Sequence, residues 1–195
     1  MRCAIAAVLS ASVVVGGSSA TAASERCRAE GNIVPLVDLP EASGIAVSRR
    51  IPGRLWLHND SGAPVVFGVD EAGRIVQRVT ISGAAVRDWE DIAVGSCEGG
   101  SCLYVADIGD NRSHRQDVTI YRVPEPGPQD SETAPARAIR ATYPDGAHNA
   151  EGFFILPDGA MYIVTKEALG RALSISAGRP SRRARTRQDA SGDYR

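Results

Sequence analysis

The chain has 195 residues, with 22 Lys plus Arg, 23 Asp plus Glu and a net charge of −1. The charge is unevenly spread: residues 24–167 carry 14 Lys plus Arg against 21 Asp plus Glu (net −7), and residues 168–195 carry seven Arg against two Asp (net +5). An acidic body argues against nucleic acid as a partner, and no apolar run is long enough to span a bilayer.

Residues 1–23 read as a secretory signal peptide. Arg2 supplies a minimal positive start, Ala4 to Val15 an apolar stretch, and Ala20-Thr-Ala-Ala23 a small-residue cleavage site. No Leu-x-x-Cys box stands at that point to direct lipidation. The expected location is secreted or periplasmic, where disulfides persist.

Alternation and turn residues then predict strands near 43–48, 54–58, 65–70 and 74–81. Turns fall at Ile51-Pro-Gly53, Asn59-Asp-Ser-Gly62 and Asp70-Glu-Ala-Gly73. A second set is predicted near 90–95, 102–107, 117–123 and 137–143. The Pro-rich stretch beginning Pro124-Glu-Pro-Gly-Pro128 is an insertion, since proline cannot sit in a central strand. Cys97 and Cys102 flank Glu-Gly-Gly-Ser between two of these strands, a spacing that predicts a loop-closing disulfide. Cys3 leaves with the signal, so Cys27 has no partner within the chain. No second Cys or His pair stands at zinc-ligand spacing.

The two sets repeat each other, and a third begins at Asn149. Glu41-Ala-Ser-Gly-Ile-Ala-Val47, Asp88-Trp-Glu-Asp-Ile-Ala-Val94 and Asn149-Ala-Glu-Gly-Phe-Phe-Ile155 each open polar and run into an apolar strand. A second apolar strand follows each: Leu55-Trp-Leu57, Leu103-Tyr-Val105 and Met161-Tyr-Ile163. Equating Gly44, Asp91 and Gly152 gives periods of 47 and 61 residues. Four antiparallel strands at such a period predict an all-β fold of the β-propeller type, with blades near 41–82, 88–144 and 149–167. About two and a half blades are expected, because the apolar pattern stops after an attempted strand at Ala172-Leu-Ser-Ile-Ser176. Residues 168–195 read either as a basic, disordered extension or as out-of-frame translation of a truncated propeller. An incomplete ring would expose sheet faces and invite self-association.

Two polar columns cross the repeats: Glu41, Asp88 and Asn149, then Ser43, Glu90 and Glu151. Members of a pair lie two residues apart, so on a regular strand both point to one face. The loops after the second strands add Asp60, Asp107, Asp110 and Asn111. Oxygen donors without cysteine or clustered histidine suit Ca²⁺ or Mg²⁺. Glu90 and Glu151 are the leading candidates, since they recur in otherwise apolar strands; Asp, Asn and Gly are also ordinary turn formers. His58 and His148 border the same columns and are the candidate general acids or bases. Trp56, Trp89, Tyr104 and Tyr162 read as core. No Gly-x-Ser-x-Gly elbow and no phosphate-binding glycine loop is present.

Leu103-Tyr-Val-Ala-Asp-Ile-Gly-Asp-Asn-Arg112 is similar to the core of NHL-type repeats. Glu90-Asp-Ile-Ala93 and Glu151-Gly-Phe-Phe154 resemble inner-strand openings of calcium-dependent six-bladed propellers. That group includes gluconolactonase-like proteins, paraoxonases and propeller phytases with their esterase-like relatives. The resemblance covers residues 40–167 and implies calcium held by Glu41, Glu90, Asn149 and Glu151. It departs from the pattern in lacking blades four to six. Two functions stay open: metal-dependent hydrolysis of a small ester, lactone or phosphate, and non-catalytic binding of a surface protein or glycan. An inactive fragment is the third outcome.

Overall fold

The computed structural model describes residues 33–166 together with strand residues 172–175 and 185–186. The expected signal peptide (residues 1–23), Cys27 and most of the basic tail lie outside the described residues. Twelve strands are found among the described residues. They are β1 (Ala42–Val47), β2 (Leu55–Asn59), β3 (Val65–Val69), β4 (Ile75–Thr80), β5 (Trp89–Cys97), β6 (Gly100–Asp107), β7 (Val118–Pro124), β8 (Arg137–Ala141), β9 (Ala150–Ile155), β10 (Met161–Thr165), β11 (Ala172–Ile175) and β12 (Arg185–Thr186). Among the described residues no helix is long and apolar enough to cross a membrane.

The strands form three four-stranded sheets taken in chain order: β1-β2-β3-β4, β5-β6-β7-β8 and β9-β10-β11-β12. Every neighbouring pair within them is antiparallel. The third sheet goes further than its sequence pattern predicts. Leu173 pairs with Thr186 and Ser174 with Arg185, so a two-residue strand from the Arg-rich tail borders the sheet. An edge strand needs only backbone hydrogen bonds on one side, and these leave no apolar period to read.

The first strands of the sheets lie side by side, β1 against β5 and β5 against β9. Two apolar seams fill the space between sheets. The first combines Ala46, Trp56, Val66 and Val79 of the first sheet with Ile92, Leu103, Val105, Tyr121 and Val123 of the second. The other joins Tyr104, Ala106, Ile120 and Ala141 to Phe153, Met161 and Ile163. Aromatic and branched side chains on alternating positions each contribute about 1.5–3 kcal/mol when fully buried. A smaller cluster of Leu39, Leu57, Phe67 and Val69 covers the other face of the first sheet.

The Pro-rich insertion is a staple rather than a free loop. Thr80 forms a bridge with Glu132, and Thr80 N–H donates to Ser131 O at 2.9 Å. Glu125, fully buried, accepts from Ser48 Oγ (2.5 Å), Arg49 N–H (3.1 Å) and Trp56 Nε1–H (3.1 Å). Burial pushes its carboxyl pKa up, but the donors gathered on it outweigh that and hold it below the usual value. One carboxylate thus pins the second sheet to the first. The predicted disulfide is present: Cys97 and Cys102 are bonded across the β5–β6 hairpin, with Cα atoms 5.8 Å apart.

Candidate functional site

The three first strands begin alike. The residue before each offers its carbonyl to an N–H just past the second strand: Asp60 N–H to Glu41 O (3.1 Å), Gly109 N–H to Asp88 O (3.1 Å) and Lys166 N–H to Asn149 O (2.9 Å). Glu41, Asp88 and Asn149 therefore occupy equivalent places at one end of their sheets. This column was legible in the sequence.

The second column is set by a device that the sequence does not announce. Register breaks between Trp89 and Asp91, and between Gly152 and Ala150 opposite Val164 and Thr165, so Glu90 and Glu151 are each an unpaired bulge residue. In the first sheet the break passes between Ser43 and Ile45, skipping Gly44. A bulge re-aims the side chain it carries and sharpens the local twist. Glu90 and Glu151 come together this way, although they sit on different sheets and the regular alternation of a strand does not apply to them.

Glu90 is 8 % exposed, and its carboxyl lies beside those of Glu151 and Asp88. Its pKa is pushed up to about 8, first by burial, then by the charge of Glu151, by Asp88, by hydrogen bonding with the Glu151 carboxyl and by Asp60. A buried carboxyl beside other carboxylates holds its proton more tightly than a solvated one. Lys166 Nζ meets Glu151 Oε1 at 2.8 Å and supplies the local positive charge. That pairing raises the lysine's own pKa.

Gly109 makes room for the cluster. A Cβ there would fall 2.3 Å from both Asp88 Cγ and Glu90 Oε1. Asp60 adjoins Glu41, whose Oε2 accepts from Ser61 Oγ. Burial, then the Glu41 carboxylate, raises the Asp60 pKa. Asp88, Glu90 and Glu151, with Glu41 and Asp60 beside them, are the acidic rim of the molecule.

The remaining candidates each have defined partners. Asn149 Oδ1 accepts from Asp110 N–H (2.8 Å), and its Nδ2 donates to Asn111 Oδ1 (3.2 Å), so it fixes the β6–β7 loop beside the rim. Asp107, 1 % exposed, pairs with Arg115 Nη1 at 2.7 Å and accepts from Asp88 N–H at 3.2 Å. Burial raises its pKa while the Arg115 guanidinium pulls it back. Arg115 also donates to Gly109 O (2.8 Å) and, through its backbone N–H, to Asp110 Oδ2 (2.6 Å). Sequence reasoning missed this arginine, although an Arg following Asp107-x-x-Asp110 in one loop is a signal for such a pair.

His58 is fully buried, edge-on to Trp89 with ring centroids 5.7 Å apart, and its Nδ1–H donates to Asn59 O at 3.0 Å. Burial lowers its pKa, so it is neutral at physiological pH. Its Nε2 faces Gly44, whose φ is +58° and where a Cβ would lie 2.8 Å from that nitrogen and from Asp91 Cα. His148 holds Asp145 Oδ1 at 2.8 Å and stands edge-on to Tyr143. Ser43 Oγ–H donates across the seam to Glu90 O (2.7 Å), and Asp91 Oδ2 accepts from Phe153 N–H (2.7 Å). The polar residues of the repeated motif therefore divide into rim and seam.

Among the described residues, no three Asp, Glu, His or Cys side chains are already drawn into a ready-made metal cage. The chain matches no protein-family model, no curated protein and no solved structure.

Proposed function

We propose that this chain is an exported protein of the β-propeller type whose acidic rim binds Ca²⁺. The observation that carries the reading is Glu90: a carboxylate in the bulge of β5, nine-tenths buried, facing the carboxyls of Glu151 and Asp88. Such a group is costly unless a proton or a cation neutralises it. Asp88, Glu90 and Glu151 have the hard oxygen chemistry that calcium takes, and Asn149 and Asp107 brace the loop beside them. Three sheets following one another with adjacent first strands support the propeller reading. The Cys97–Cys102 bond fits an oxidising compartment.

A bound calcium would polarise an ester, lactone or phosphate oxygen and make water more acidic, so hydrolysis of a small substrate of that kind is the activity the rim supports. A second reading, a non-catalytic module binding a surface protein or glycan, draws on the histidines. His58 is sealed against Trp89 and His148 is engaged with Asp145 and Tyr143, so a general base would have to come from the carboxylates.

Thermal melting with millimolar Ca²⁺ and with chelator tests the metal. At a hundredfold excess over the dissociation constant, the ion adds about 2.7 kcal/mol. Glu90→Gln and Glu151→Gln should each remove most of that gain. Identical melting in calcium and chelator sinks the proposal. Turnover of aryl esters, lactones and phytate by the calcium-loaded protein then separates enzyme from binding module.

A further inference from the structure

The two internal seams are the same interface used twice. In the first, Ala46 and Trp56 of one sheet meet Ile92 and Val94 of the next. In the second, Ala93 and Tyr104 meet Phe153 and Ile155. By the repeat, Phe154 and Tyr162 hold the places of Ala46 and Trp56 on the third sheet, while Ile45 and Val47 hold the places of Ile92 and Val94 on the first. All four stand at an open face. Ile45 is 60 % and Val47 67 % exposed, where Ile92 is 3 % and Phe153 4 %. Phe154 is 41 % exposed and stacks on Tyr162 with ring centroids 5.0 Å apart. Leu36 and Leu39 cover the outer part of the first sheet's face, over Leu57, Phe67 and Val69, and leave Ile45 and Val47 uncovered.

We infer that the occupant of each open face is a second copy of this chain, with Phe154 and Tyr162 of one copy packed on Ile45 and Val47 of the other. The contact is heterologous, one kind of face meeting a different kind. A head-to-tail contact gives either a closed ring or an open polymer. Each copy contributes three sheets, and two copies related by a two-fold axis make two such seams and a ring of six sheets, within the size range of known propellers. The chemistry on the two faces is that of the internal seams: an aromatic from the second strand against branched aliphatics of the neighbouring first strand. The inference rests on the repeated seam and not on the cation, since the rim residues all belong to one chain.

Light scattering and sedimentation of the purified, disulfide-bonded protein test it. The wild type should have the mass of two chains at micromolar concentration. Val47→Asp and Phe154→Asp should each lower dimer affinity by at least about a hundredfold, because every dimer then carries an unpaired carboxylate in both seams. Both positions are exposed in the single chain, so the variants should still melt cooperatively, and Ile45→Asp replaces Val47→Asp if that one does not. A wild-type monomer overturns the inference. So does a dimer sensitive to only one of the two substitutions, which would mean like faces pairing, and so do open polymers of rising mass. Calcium-dependent melting should survive in the monomeric variants, so failure of the ring and failure of the cation site are read separately.

Discussion

Replacing Glu90 by Gln should remove the pH dependence of stability that this residue contributes at the rim. Glu90 has an ordinary pKa of 4.5 and reaches about 8 in the folded chain, chiefly through burial and the neighbouring Glu151. The folded state therefore holds the proton more tightly than the unfolded state. Its contribution is fully present below pH 4.5, is lost as pH rises towards 8, and changes no further above that. At about 1.4 kcal/mol per pH unit, the span from 4.5 to about 8 sets a ceiling of about 5 kcal/mol. The Lys166 ammonium on Glu151 offsets part of the repulsion, so a loss of about 2–3 kcal/mol is expected. In chelator, the wild type should lose melting temperature from pH 5 to pH 9, by about 5–10 °C for a domain of this size. Glu90→Gln keeps the shape, has no charge to bury, and donates an amide N–H to Glu151. It should match the wild type near pH 5 and melt several degrees higher at pH 9. Differential scanning fluorimetry across that range, wild type against variant, isolates the effect from other titrating groups. A difference that stays constant from pH 5 to pH 9 would refute the burial and charge-pair account of Glu90.

Glu125→Ala should cost about 3–5 kcal/mol in chemical denaturation, since it strands the donors of Ser48, Arg49 and Trp56 at a buried site; Glu125→Gln should recover part of it, and a loss below about 1 kcal/mol would show that the clamp is not structural. Gly109→Ala should destabilise by about 1–3 kcal/mol and blunt any calcium response, because its Cβ enters the space of Asp88 and Glu90; unchanged melting and metal response would mean the close approach is relaxed in solution. The paired substitution Cys97→Ala and Cys102→Ala should cost about 2 kcal/mol, the chain-entropy value for so short a loop, measured by urea titration against the oxidised wild type.

The repeat shows how far sequence carries and where it stops. Strand positions were written locally: Leu55-Trp-Leu57 and Leu103-Tyr-Val105 fall within β2 and β6. The glycines between Cys97 and Cys102 foretold the hairpin and its disulfide. The column Glu41, Asp88 and Asn149 also appears where the repeat puts it, because equivalent strand starts make equivalent backbone bonds. The fourth strand of the third sheet was hidden, since a two-residue edge strand carries no period. Glu125 was hidden for a different reason: a glutamate between prolines looks like any loop carboxylate until Ser48 and Trp56 are brought to it from another sheet.

What the sequence determined by itself is thus the alternation, the turns, the disulfide and the period of the repeat, all properties of neighbouring residues. Only the tertiary structure decided which polar side chains are buried together. His58 and Glu90 are both polar residues near the same end of their sheets. One is sealed neutral against Trp89, and the other faces the Glu151 carboxyl. The difference comes from bulges and seams between sheets, and those depend on contacts 47 and more residues apart, between Ser43 and Glu90 or Asp91 and Phe153. Burial sets the cost of a charge, and burial is settled by distant residues.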